Sequence, residues 1–197
     1  MNINYGLIKR SVLFIIGLLL LVSCTATSSR PKIDPAKLLI NLADMPADWY
    51  IVSQGDLPDN YRQQGGADIE FNVNNPQVLY VAAHRVYEYK NERQAAREFE
   101  KQLPHRFNSN SIASRTPWRP PQELPYISTV AEQFYFACHE GSINRISTIC
   151  QAMGQYENYL VIFHTHVTPE YMTYADIESI LLIIDARMAE YLANDNE

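Results

Sequence analysis

Glycine is scarce in this chain, at 7 residues in 197, and no G-x-S-x-G places a serine on a strand-to-helix turn. The one glycine pair, in QQGGAD at residues 63–68, lacks the Lys and Ser/Thr of a phosphate loop and reads as a turn. Cysteine is rarer still. Cys24, Cys138 and Cys150 are the only three, and no two stand in a C-x-x-C pair. Basic residues are in deficit, 16 Lys and Arg against 22 Asp and Glu. That balance excludes a nucleic-acid surface and polybasic docking on anionic lipid. No cofactor motif is present, and no apolar run reaches the roughly 20 residues a membrane-spanning helix needs.

What is present begins at the N-terminus. Lys9 and Arg10 precede an uncharged apolar run, Ser11–Val22, followed by Ser23 and Cys24. A basic start, a short greasy stretch and a small residue form the layout of an export signal. Leu21-Val22-Ser23-Cys24 resembles the lipobox of bacterial lipoproteins. The resemblance implies a leader over residues 1–23 that is cleaved, a diacylglyceryl thioether on Cys24, and acylation of the new amino group. Two or three acyl chains hold a protein stably on a bilayer, so the expected partner of this end is the lipid bilayer itself. Thr25, where aspartate does not follow the anchor cysteine, implies the outer membrane in a two-membrane cell and otherwise the outer face of the cell membrane.

Cleavage before Cys24 leaves 174 residues, enough for one domain with a real core. The loss of Lys9 and Arg10 moves the net charge from −6 to −8. Residues 24–33 form a lipidated end and short tether, and 34–197 a single globular domain. With Cys24 acylated, Cys138 and Cys150 remain in a compartment where disulfides persist. They lie in two strand-like runs separated by a polar hinge, and a hairpin centred on Asn144 sets them opposite one another. The rival reading, a redox or metal pair, lacks the spacing and any further thiol.

The coarse pattern predicts a short helix in DPAKLLINLADMP, capped by Asp34 and stopped by Pro46, then a brief strand at Trp49–Val52. Residues 55–68 read as loop, IEFNV as a strand, and Gln77–Tyr89 as the first long strand. A helix follows, capped by Asn91 and ended by Pro104, with Ala95, Phe99 and Leu103 on one stripe. The proline-rich stretch 108–125 is expected to cross a sheet edge in extended form. Strands at 132–139, 145–153 and 158–168 come next. A final helix starts at Tyr174, with Thr173 and Asp176 as its capping box. The expected fold is α+β, an antiparallel β-sheet with helices packed on it and one cross-strand disulfide. This arrangement resembles two exported families, the PsbP-type domains and the extracellular sensor domains of actinobacterial serine/threonine kinases. The opening phrase LLINLADMPADW and the late cysteine pair carry the second resemblance.

Candidate chemistry is thin. His164 and His166 share one strand face in FHTHV, a spacing that suits two zinc ligands with a third from His139, Glu140 or His84. The plainer reading is a strand running into solvent, and no metal is assigned. The segment TPWRPPQELPY presents Trp118, Arg119 and Tyr126 on a stiff backbone, a candidate binding surface. The sequence therefore points to a membrane-anchored extracytoplasmic binding or sensing module acting on an unidentified envelope protein or small ligand, and not to an enzyme. The alternative is an accessory structural subunit of an envelope complex, and the third reading a metal-dependent enzyme using the His164/His166 pair.

Overall fold

The computed structural model describes residues 34–60, 62–75, 81–108, 116–142 and 146–194. The leader and Cys24 lie outside the described residues. Six antiparallel strands form one sheet: β1 (Trp49–Leu57), β2 (Gly65–Val73), β3 (Val81–Glu88), β4 (Gln133–Ser142), β5 (Ile146–Tyr156) and β6 (Tyr159–Val167). Their spatial order is β1-β2-β3-β6-β5-β4, so two three-stranded meanders join along β3 and β6. Each meander is followed by a helix, α1 (Glu92–Arg106) and α2 (Tyr174–Asn194).

The helices cover opposite faces. Met153 and Ile162 pair across β5 and β6 and pack with Ala95 and Phe99 of α1. Their sequence neighbours Ala152 and Phe163, pointing the other way, pack with Ile177, Leu181, Ile184 and Met188 of α2. Covered on both sides, β6 buries five consecutive residues from Tyr159 to Phe163 and loses the in–out alternation of a half-exposed strand. Burying one such aliphatic side chain contributes roughly 1.5–3 kcal/mol, so the larger core on the α2 face dominates stability.

Cys138 and Cys150 stand opposite one another in the β4–β5 register and form a disulfide. Pairing of Ser142 with Ile146 centres the hairpin where the sequence set it, at 144. The capping box at α2 is present: the Thr173 N–H donates to Asp176 Oδ2 at 2.8 Å, and the Asp176 N–H donates to Thr173 Oγ1 at 3.2 Å. Asn91 caps α1, its Oδ1 accepting from the Gln94 N–H at 3.0 Å.

Several expectations need correction. The opening helix is two 3-10 turns, Pro35–Leu38 and Leu42–Asp44. Asn41 interrupts them, accepting the Ala43 N–H at 2.8 Å while its own N–H donates to Asp44 at 2.7 Å. Such local bonds compete with a continuing helix. The loop expected over 55–68 is shorter, because β1 runs on to Leu57 and β2 begins at Gly65. Gly66 must be glycine: at φ +156° an added Cβ would meet the Val86 carbonyl at 2.3 Å. Residues 76–80 of the expected long strand lie outside the described residues. Helix α1 continues past Pro104 to Arg106, because a proline in the last turn forfeits one helical bond without ending the helix.

Two polar ties hold the layers. Asp185 of α2, 6% exposed, accepts from Tyr156 Oη at 2.6 Å, Ser128 Oγ at 2.9 Å and Tyr126 Oη at 2.7 Å. This buried carboxylate pins α2 to β5 and to the segment preceding β4. Arg187 reaches the opening turns, donating to Asp44 at 2.6 Å and to the Leu39 carbonyl.

Candidate functional site

The outer edge of β4 is covered by the chain itself. The proline-rich segment 116–123 lies against it, touching β4 between Thr116 and Arg119. Arg119 pairs with Cys138 through two backbone hydrogen bonds of 2.9 Å. Thr116 Oγ1 accepts the Glu140 N–H at 2.8 Å. The prolines suit this strap, since they need no ladder partner and restrict φ.

An extended backbone sends successive side chains to opposite sides, and this separates Trp118 from Arg119. Trp118 lies over His139, ring centroids 4.0 Å apart, and meets Phe107 edge-on at 5.1 Å. Phe107 in turn packs edge-on against Tyr135 at 4.6 Å. This aromatic stack anchors the strap to the end of α1 and to β4. Arg119 instead lines an open groove of ≈ 380 Å³ between the strap, β4 and the start of α2. Pro121, Glu123, Cys138, Glu140 and Tyr174 also face it. Burial, reinforced by the Glu123 carboxylate, raises the Tyr174 hydroxyl above its ordinary pKa, so it stays protonated and can donate. The groove thus offers a guanidinium, two carboxylates, hydroxyls and proline rings around one wall of the disulfide. That set can hold a polar ligand with an apolar portion.

The three residues singled out in the proline-rich segment do not form one surface. Arg119 lines the groove, Trp118 points to the opposite side, and Tyr126 is a structural pin. Its hydroxyl is committed to Asp185, and its ring packs edge-on against Phe134 at 5.6 Å. Burial and Asp185 together raise its pKa. Sequence reasoning missed Glu123 and Tyr174 as neighbours of Arg119; only the pairing of the strap with β4 brings them together.

His164 and His166 do share the α1-side face of β6. Burial, then Arg85, lowers the His164 pKa to about 4. Burial, then His139, lowers that of His166, whose Nδ1 lies 3.1 Å from Ser147 Oγ. The third ligands considered for them are dispersed. His84 faces the α2 side, where Nδ1 accepts the Ile40 N–H at 3.1 Å. Glu140 points to the same side as the disulfide, and His139 is separated from His166 by Ile149. Among the described residues no group of three or more His, Cys, Asp or Glu is placed to hold a metal ion.

No protein family and no curated protein matches the sequence. Among solved structures the fold has a counterpart. It is similar to the extracellular domain of PknH from Mycobacterium tuberculosis. The TM-score is 0.56 at 7% identity, over 81% of this chain and 98% of that one. The likeness is one of fold, and at that level it agrees with the resemblance to actinobacterial kinase sensor domains. Among the described residues no helix is long and apolar enough to cross a membrane.

Proposed function

We propose that this protein is an extracytoplasmic binding module, held on a membrane by acyl chains on Cys24, that takes its ligand in the groove between the proline strap and β4. The observation that carries this reading is the construction of the groove. A backbone bridge and an aromatic stack fix the strap to β4, which a disulfide ties in turn to β5, yet Arg119, Glu123 and Glu140 make no ion pair among the described residues. Such charged groups held on a rigid frame are poised for a ligand, because little ordering entropy is left to lose on binding. Similarity to an extracellular domain and the oxidised cysteine pair support the location.

The test is a thermal-shift screen of the full chain in detergent against small molecules extracted from the cell envelope. A ligand present at about 100 times its Kd stabilises by roughly 2.7 kcal/mol, and the shift should vanish in Arg119→Glu. A ligand whose shift survives that change binds elsewhere and refutes the groove. Absence of any shift across the screen refutes the reading as well.

A further inference from the structure

The two edges of the sheet differ. β4 is closed by the strap, whereas among the described residues nothing pairs with the outer side of β1. Eight of its nine residues are at least partly exposed. Tyr50, Ile51 and Val52 are 45%, 39% and 55% exposed, and Leu42, in the 3-10 turn that packs on β1, is 42% exposed. These are four of the six large apolar side chains exposed among the described residues. The edge carries none of the usual protection by lysine or proline; its one such device is a bulge at Val52, between the ladders Trp49–Ile51 and Ser53–Leu57.

The charge around it has one sign. From residue 38 to 61 the sequence holds no Lys or Arg. Of its four aspartates, Asp44 is paired with Arg187. Asp48, at one end of β1, and Asp56 and Asp59, at the other, are exposed and make no ion pair among the described residues. We propose that the open edge of β1 receives an extended strand from a partner protein, a segment apolar at its centre and basic at its ends.

Charge selects this occupant over the others. A second copy pairing antiparallel about Val52 would set Asp48 opposite Asp56, and like charges opposed across strands destabilise. A lipid surface would place unpaired backbone N–H and C=O groups against hydrocarbon, where they find no partner. A basic-ended strand satisfies the backbone, covers Tyr50–Val52 and meets the aspartates. The site is independent of the groove, which lies at the far edge of the sheet.

The probe is a fluorescein-labelled peptide with a Val-Thr-Val-Thr-Val core and two lysines at each end, titrated by anisotropy against the full chain in detergent. A peptide with the same core and glutamate ends is the comparator. The lysine-ended peptide should bind and weaken with added salt. Asp48→Asn and Asp56→Asn should each weaken it about two- to fivefold, the range of an exposed ion pair. Val52→Lys, which changes only an exposed side chain, should weaken it about tenfold or more by blocking the edge. Tyr50→Lys gives a second block on the other side of the bulge if Val52→Lys lowers Tm. Failure of the lysine-ended peptide to bind overturns the proposal. So does equal binding of the glutamate-ended peptide, binding that survives both edge blocks, or a dimer of the full chain that either block dissociates.

Discussion

Acidification should destabilise this domain well above the range in which carboxylates titrate, and buried His84 is one of its causes. It is fully buried between Ile69 and Phe163 on the α2 face, and its Nδ1 accepts the Ile40 N–H. The neutral ring therefore carries its proton on Nε2. Burial, then the charge of Arg187, lowers its pKa from 6.5 to about 3. In the unfolded chain the same imidazole titrates near 6.5. Between those values the unfolded state holds more protons, so stability rises with pH and is lost as pH falls below about 6.5. The slope is about 1.4 kcal/mol per pH unit for each such histidine, which gives about 2 kcal/mol for His84 between pH 7.5 and 5. His164, lowered to about 4, adds a similar amount, and together they remove about 4 kcal/mol from a total typically of 5–15 kcal/mol. Urea melts at pH 7.5, 6 and 5 read this directly. His84→Gln, which keeps an acceptor for Ile40, should remove about 2 kcal/mol of that pH dependence. A stability flat from pH 7.5 to 5, or an unchanged slope in His84→Gln and His164→Gln alike, would refute the reasoning.

Other perturbations have equally definite outcomes. Replacing Cys138 and Cys150 together with alanine should cost about 3 kcal/mol, the entropy of closing a loop of this size, seen as a lower urea midpoint with the fold retained. Tyr156→Phe removes one of three hydroxyls from the buried Asp185 carboxylate; a loss of about 1.5–3 kcal/mol in the same assay is expected. Trp118→Ala removes the ring over His139 and should release the strap, making residues 116–123 the first site of limited proteolysis.

The parts of the fold legible in the sequence are those set by short-range chemistry. The Cys138–Cys150 pairing follows from a hairpin centre that two strand-like runs define. Thr173 with Asp176 and Asn91 with Gln94 mark helix starts because a cap acts within one turn. The apolar stripes of α1 and α2 are periodic over several turns. What was illegible depends on partners far along the chain. Gly55, Asp56 and Leu57 are loop-like in isolation and become strand only by pairing with Gly66, Ala67 and Asp68. Tyr126 resembles a recognition residue until Asp185, 59 positions away, is seen to accept its hydroxyl. The extended character of the proline segment was legible, and alternation along it already implies that Trp118 and Arg119 diverge. Its docking on Cys138, which creates the groove, was not.

Mass analysis of the protein extracted from its native membrane tests the location on which the proposed function rests. The prediction is a chain that begins at Cys24 with acyl groups on its sulfur and carries Cys138 and Cys150 oxidised to each other. A chain retaining its leader, a Cys24 without fatty adduct, or free thiols at 138 and 150 would contradict it.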